Sequence, residues 1–82
     1  MIDKIFKILP LKEDLDKGII VDSDFTIYLN RLIVEFSGML DVTDNGKLKE
    51  VVSIIKGIKI EYKNSTHEEI RSLVFHCISL VK

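Results

Sequence analysis

The side chains best suited to metal binding or nucleophilic chemistry, His67, His76 and Cys77, lie near the end of the chain. The two histidines do not have the four-residue spacing that puts two metal ligands on one turn of a helix, and no cysteine cluster accompanies them. A single cysteine cannot form an internal disulfide, and Cys77 falls inside an apolar pattern. We therefore expect no structural zinc, and we expect Cys77 to be a small core residue.

Other catalytic and metal-binding patterns are also missing. The segment Asp41-Val-Thr-Asp44-Asn-Gly consists of residues typical of turns and resembles the start of a calcium loop, but it lacks the DxDxDG spacing and the glutamate at the twelfth position. No glycine-rich phosphate loop, GxSxG or HExxH occurs. The sequence predicts a protein that is not an enzyme, with no catalytic residue, no metal site and no cofactor.

His76 has two interpretations. On a helix it lies at the edge of an apolar stripe, on the same side as Glu69 and Ser72. One interpretation is a boundary histidine, half packed and half hydrated. The other is a reactive imidazole at the surface, because a neutral histidine near its pKa can accept a phosphoryl group.

Two segments carry a family resemblance. Glu69-Ile-Arg-Ser-Leu-Val-Phe-His76-Cys-Ile resembles the closing motif of the helical phosphotransferase-system regulation domains, in which a glutamate precedes the phosphorylated histidine by the same interval. Phe25-Thr-Ile-Tyr-Leu-Asn-Arg31-Leu resembles an earlier helix of that family, with Asp24 where the family has its first histidine. The resemblance covers about residues 24–80. It implies a helical bundle with His76 as the only remaining phosphoacceptor.

The longest helical pattern runs over residues 24–40 and must organise the other elements. One broad face holds apolar residues at the i, i+3, i+4, i+7 spacing. Ile27 and Val34 lie on the opposite side, next to Arg31. This helix is therefore either nearly central in the fold or binds a partner through its second apolar strip. The residues of the broad apolar face are Phe25, Tyr28, Leu29, Leu32, Ile33, Phe36, Met39 and Leu40.

The segment before this helix predicts two short helices and a connector. A first helix over residues 2–9 is expected to stop at Pro10, and a second, over residues 11–17, is expected to end at Gly18 with Leu11 and Leu15 facing inward. Residues 19–21 are then a buried connector or a short strand. Asp22, Ser23 and Asp24 suit the cap and first turn of the long helix.

The segment after the long helix is ambiguous between helix and strand. Residues 47–56 predict a helix that Gly57 would end. Ile58, Ile60 and Tyr62 alternate with charged residues as in a strand, whereas a continued helix would put Tyr62 on the face of Leu48, Val51, Val52 and Ile55. A strand here could pair with residues 19–21 as a two-stranded ribbon.

The last helix has the clearest local signals. Ser65 or Thr66 can cap it, and an acid follows three residues after either one, which is a capping box. An apolar stripe then runs from Ile70 to Val81. We predict an all-α fold, a compact antiparallel bundle of four to five helices with room for a minor two-stranded ribbon.

Length and composition indicate a single domain over residues 1–82. The chain is 46% hydrophobic and 30% charged, with a net charge of -1, which is typical of a soluble globular protein. No apolar run reaches the ~18 residues that would span a bilayer. The first ten residues mix charges with apolar residues, unlike a signal peptide. We expect a cytoplasmic protein with no membrane partner and, because the pI is about 6.1 and only two residues are arginine, no nucleic-acid partner.

The charges are unevenly distributed along the chain. Residues 13–44 carry eight acids against Lys17 and Arg31, and residues 47–63 carry five lysines against two glutamates. An acidic surface can steer a basic protein partner. We expect the partner-binding residues to be Asp14, Asp16, Ile27, Arg31, Val34, Asp41 and Asp44.

The class of protein that this pattern favours is a small protein-binding module. In size and class it resembles the immunity proteins that neutralise bacterial toxins by covering the active surface. The alternatives are a regulation-domain module with His76 as phosphoacceptor and an adaptor that homodimerises through Ile27 and Val34. The partner would be a protein with a basic domain, and the chain a monomer or a homodimer.

Overall fold

The computed structural model describes residues 2–43 and 46–82, with side chains for residues 2–39 and 46–82, and this part of the chain is all-α. The all-α prediction and the expected four to five helices are thereby confirmed. The helices are α1 (Ile2–Phe6), α2 (Ile8–Asp16), α3 (Asp22–Thr43), α4 (Gly46–Glu61) and α5 (His67–Val81).

The three long helices pack in antiparallel order, and the two short ones cover one side. Lys59 of α4 contacts Asn30 of α3, and Lys63, just past α4, pairs with Asp22, so the end of α4 lies beside the start of α3. Helix α1 packs on α5, while α2 lies between α3 and α5. The bundle measures 38 × 21 × 21 Å.

The core runs along the bundle axis and is mostly aliphatic, with three aromatic rings. The rings of Phe25 and Tyr62 meet at one end, with their centroids 5.0 Å apart. Burial of this many large side chains is the main source of stability for a chain of this length. The buried apolar residues are Ile5, Ile8, Phe25, Leu29, Leu32, Phe36, Leu48, Val51, Val52, Ile55, Ile58, Tyr62, Ile70, Val74, Cys77 and Ile78.

The break between the first two helices is at Lys7, so the prediction that the first helix stops at Pro10 is wrong. Pro10 lies in the first turn of α2, where the missing N–H has no helical partner to lose. Helix α2 ends as expected, because Gly18 adopts a φ of 77°. Leu11 and Leu15 are only half-buried.

Helix α3 is longer at both ends than the predicted 24–40. Asp22 and Asp24 lie in its first turn, as expected, although the residue before the helix is Val21 and not one of these acids. The Val21 N–H donates to Asp24 Oδ2 at 3.2 Å, and the Val21 carbonyl accepts from the Asp24 N–H at 3.0 Å. Phe25, Leu29, Leu32 and Phe36 are buried as expected, with Tyr28 and Ile33 half-buried against the core, whereas Met39 is 37% exposed. The side chain of Leu40 lies outside the described residues.

Helix α4 continues through Gly57 to Glu61, so the predicted stop at Gly57 is wrong, and of the two alternatives for the segment that follows, the continued helix is the one observed. A helix places Ile58 and Tyr62 in the core and turns Ile60 outward, where it is 74% exposed. Residues 19–21 form a connector without strand pairing, and Ile19 and Val21 are exposed. No strand occurs in residues 2–43 or 46–82, so the two-stranded ribbon that the sequence allowed does not form there.

Helix α5 forms as its local signals indicate. Thr66 is the cap: its Oγ1 accepts from the Glu69 N–H at 3.1 Å, and Glu69 Oε1 faces the Thr66 N–H at 3.5 Å. Ile70, Val74 and Cys77 are fully buried, as the stripe predicts. The helix therefore has a defined start and a defined inner face.

Candidate protein-binding face on helix α3

The outer face of α3 carries an apolar strip with an arginine in the middle. We define this outer face as Ile27, Arg31, Val34 and Gly38, all of which are exposed. Ile27 is 51% and Val34 is 73% exposed. Their spacing keeps them on one side of the helix, away from the buried Leu29, because residues about two turns apart share a face.

Arg31 lies where three shallow depressions meet. One depression, of about 400 Å³, is lined by Ile27, Asn30, Arg31, Val34 and Glu35. A second one lies toward α1 and includes Tyr28 and Glu35, and a third lies toward α2 and includes Ile27 and Tyr28; Arg31 borders both. The outer face is thus a shallow, mostly apolar surface around one guanidinium, and not an enclosed pocket.

Both edges of the outer face are held by contacts to neighbouring helices. On the α1 side, Lys4 Nζ pairs with Glu35 Oε1 at 2.5 Å, and the Tyr28 hydroxyl donates to the Lys4 carbonyl at 2.6 Å. On the α4 side, Lys59 Nζ donates to Asn30 Oδ1 at 2.6 Å. Burial, and secondarily the charge of Glu35, raise the pKa of Tyr28, so this hydroxyl stays a neutral donor.

Arg31 differs from the two lysines near it because it makes no hydrogen bond, ion pair or ring contact with any residue in 2–43 or 46–82. Lys4 is paired with Glu35, and Lys7 Nζ lies 5.6 Å from the centroid of the Tyr28 ring. An unpaired guanidinium between two exposed aliphatic side chains offers a planar set of donors beside an apolar surface. Arginine in such surroundings is frequent at the energetic centres of protein interfaces.

The predicted acidic residues are not gathered beside this strip in the described part of the chain. Asp16 pairs within α2 with Lys12, whose side chain is only 8% exposed, and Asp14 is half-buried. The side chain of Asp41 lies outside the described residues, as does Asp44. Ile27, Arg31 and Val34 are therefore the predicted contact residues that the structure brings together.

One end of the bundle holds a polar depression whose charges are already matched. It has a volume of about 660 Å³ and is lined in part by Lys12, Asp16, Asp22, Lys63 and His67. Lys12 faces Asp16 at 2.5 Å and Lys63 faces Asp22 at 3.3 Å. Hydrogen bonding to Asp22 raises the pKa of Lys63. The two lysines and two aspartates of this lining are thus engaged with one another and are not available as unpaired charges for a ligand.

His76 is accessible on the surface of α5. Its side chain is 53% exposed, and its Nε2 lies 3.4 Å from Glu50 Oε1 on α4. Glu69, the glutamate of the family resemblance, is engaged at the cap with Thr66 instead. Chemistry at His76 would therefore have Glu50 as its carboxylate neighbour.

Cys77 is buried in the core, next to the exposed His76. Burial, followed by the charge of Glu50, raises the pKa of the Cys77 thiol from 9.0 to about 11. The thiol is thus protonated and shielded, which makes it a poor nucleophile. Across residues 2–43 and 46–82, no group of three or more His, Cys, Asp or Glu side chains could hold a metal ion, and no helix is long and apolar enough to cross a membrane.

An exposed aromatic cluster was missed by the sequence patterns. Phe6 of α1 and Phe75 of α5 meet edge to face, with ring centroids 6.2 Å apart, and the Arg71 guanidinium lies 5.5 Å from the Phe75 centroid. Both rings are partly exposed. The only signal in the sequence is that Phe75 falls outside the apolar stripe of its helix.

Comparison of the chain with known proteins identifies no relative. No protein-family model matches the chain, and neither a curated protein nor a solved structure shows a significant match.

Proposed function

We propose that this chain is a small non-enzymatic protein-binding module, an immunity-type inhibitor that neutralises a bacterial toxin by covering its active surface. The observation that carries the proposal is Arg31, which has no partner among the described residues and lies between the exposed Ile27 and Val34 on a helix whose edges are held by contacts to α1 and α4. Rigid edges reduce the entropy lost on binding, which favours affinity.

The outer face of α3 defines the chemistry of the partner surface. The partner would place apolar side chains over Ile27 and Val34 and a carboxylate against Arg31, where a bidentate pair can form. The surplus of acids in residues 13–44, including Asp14, Asp16, Asp41 and Asp44, would act at longer range. Such charges speed the encounter with a basic toxin domain more than they add affinity.

The test is capture from native host cells with matched baits. The immobilised wild-type chain is compared with Val34→Asp and with Ile60→Asp, which alters an equally exposed residue on α4. We expect a protein that binds wild type and Ile60→Asp but not Val34→Asp. We also expect co-expression of the wild-type chain, but not of Val34→Asp, to abolish the toxicity of that protein. A captured protein that is not toxic, or binding that survives Val34→Asp, contradicts the proposal.

A second candidate function rests on the accessibility of His76. Its imidazole is more than half exposed and has a carboxylate neighbour, Glu50, so a regulatory module phosphorylated at His76 is the competing proposal. Substituting His76 by Ala separates the two candidates. An inhibitor keeps its neutralising activity in this variant, whereas a phosphorylated regulator loses its response.

A further inference from the structure

We propose that, in the absence of its heterologous partner, the outer face of α3 is covered by a second copy of this chain. The two copies of α3 would run antiparallel about a two-fold axis between Arg31 and Val34. This inference rests on the proposed function only in taking the outer face as a contact surface. The inference adds that a second copy of the chain covers this surface when no toxin is bound. It therefore predicts that toxin binding competes with self-association.

Gly38 is the first observation that points to a close helical neighbour. A glycine inside a helix costs roughly 1 kcal/mol relative to alanine. No described residue of this chain requires it, because a Cβ built on Gly38 meets no atom of the described part within 4 Å and its φ is not in the left-handed region. The residue lies on the same exposed side as Val34 and Ile27, where the absence of a side chain lets another backbone approach.

The spacing of the outer face is the second observation. Ile27, Arg31, Val34 and Gly38 follow one another at intervals of four, three and four, which is the seam spacing of coiled coils. In an antiparallel pair centred between Arg31 and Val34, Ile27 meets the partner's Gly38 and Arg31 lies over the partner's Val34. The large side chain fills the gap opposite the small residue, and the two-fold axis makes this contact twice.

Charge complementarity selects the antiparallel orientation. Glu35 lies one residue beyond Val34, so Arg31 can reach the partner's Glu35, and the reciprocal pair forms on the other side of the axis. Lys4 occupies only Oε1 of Glu35, and Oε2 has no partner among the residues that the structure describes. A parallel pair would instead bring Arg31 against the partner's Arg31 and leave a gap at Gly38.

The expected dimer is weak. The seam covers about three turns of one helix, which puts the buried area at the small end of specific interfaces. We therefore expect a dissociation constant on the order of micromolar. A toxin that binds more tightly would then displace the second copy.

The test is disulfide trapping with single-cysteine additions. Ile27→Cys and Gly38→Cys are prepared as separate variants and then mixed under mild oxidation. Native Cys77 does not interfere, because it is fully buried with a raised pKa. Within one chain the two positions are roughly 16 Å apart along the helix, too far for a disulfide, so any product must join two chains.

We expect a cross-linked dimer from the mixture and little from either variant alone. A mixture of Ile27→Cys with Ile60→Cys, whose added cysteine lies on α4, is the control and should give at least roughly tenfold less product. Sedimentation of the unmodified chain should show dimer formation across micromolar to millimolar concentrations, with a roughly 30-fold or greater rise in the dissociation constant for Val34→Lys, which sets a like charge against the partner's Arg31.

Other outcomes overturn the inference. Trapping of Ile27→Cys with itself would indicate a parallel pair, and a wild-type chain that stays monomeric throughout would exclude the dimer. Both results leave the proposed function intact if toxin binding still depends on Val34. Conversely, a trapped dimer together with toxin binding that ignores Val34→Asp would refute the proposed function alone.

Discussion

At the scale of single residues, the most consequential positions are those whose role is local and can be tested on folding alone. Thr66 starts α5, and Cys77 sits at the centre of its buried stripe. The stripe and a cap at Ser65 or Thr66 follow from the sequence, because both depend on neighbours within a few positions, and the structure selects Thr66. Arg31 is different: its lack of a partner depends on where α1 and α4 place their side chains.

Replacement of Thr66 by alanine should lower the free energy of unfolding by about 1 kcal/mol. The variant removes the oxygen that accepts from the Glu69 N–H and leaves that donor without its cap. Denaturant unfolding measures the change. Ser53→Ala, at an exposed position of α4, is the control and should leave stability unchanged or slightly higher. A Thr66→Ala variant as stable as wild type would contradict the cap.

The thiol of Cys77 should make stability depend on alkaline pH. Its pKa is raised from 9.0 to about 11 in the folded chain, so the neutral form is favoured by folding. This contribution is fully present below pH 9.0 and is lost as the pH rises toward about 11. Tyr28, whose pKa is also raised, adds a loss of the same sign.

Comparison with Cys77→Ala isolates the contribution of the thiol. Thermal or denaturant unfolding between neutral pH and pH 11 should show a steeper loss for wild type than for the variant. At neutral pH the wild-type thiol should also react with a disulfide reagent far more slowly than in the unfolded chain. Equal slopes for the two proteins, or rapid labelling of the native state, would count against a buried, protonated Cys77.

At the scale of elements, the two glycines that follow helical patterns have opposite roles. Lys17-Gly18-Ile-Ile and Lys56-Gly57-Ile-Lys look alike in the sequence. Gly18 has a φ of 77° and ends α2, whereas Gly57 is an ordinary helical residue inside α4. Local sequence did not separate them, because the core position of Tyr62 against Phe25 decides that α4 continues.

Alanine substitution should therefore have opposite effects at these two glycines. Gly57→Ala should raise the free energy of unfolding by roughly 0.5–1 kcal/mol, since a Cβ there meets no atom within 4 Å and the helix gains propensity. Gly18→Ala should lower it by about 1 kcal/mol or more, because alanine is strained at positive φ. Denaturant unfolding of both variants is the measurement. Destabilisation by Gly57→Ala would argue that α4 does not pass through this residue.

The short helices show where sequence periodicity stops being informative. The pattern of residues 2–15 fits one interrupted helix with several break points, and Pro10 looks like the natural one. The actual break at Lys7 lets α1 pack on α5 while α2 lies against both α3 and α5. That packing also creates the Phe6–Phe75 contact, which no local pattern could indicate.

At the scale of the whole molecule, the bundle holds one face of its longest helix clear of the core and fixes both edges of that face. The 3.6-residue period alone predicts that Ile27, Arg31 and Val34 point outward, because the opposite side must be buried. The period does not predict the side-chain contacts that hold the two edges of the outer face, which involve Lys4, Tyr28, Asn30 and Lys59. Those contacts join α1, α3 and α4 and arise only once the helices are packed.

The outer face should matter for binding and not for folding. Val34→Asp should change the free energy of unfolding by less than about 0.5 kcal/mol, because the side chain is already in solvent. The same substitution should weaken partner binding strongly, since it buries a charge in an apolar contact. A large loss of stability in Val34→Asp would mean that this residue supports the fold instead.

Titration calorimetry of the captured partner with Val34→Asp and with Ile60→Asp decides whether the outer face of α3 is the contact surface. Both variants place an acid at a position about three-quarters exposed, one on α3 and one on α4. If the partner binds to the outer face of α3, Val34→Asp should lose roughly 2 kcal/mol or more of binding free energy, which is about 30-fold in affinity. Ile60→Asp should bind with nearly the wild-type affinity. Equal affinities for the two variants, or a loss confined to Ile60→Asp, would contradict it.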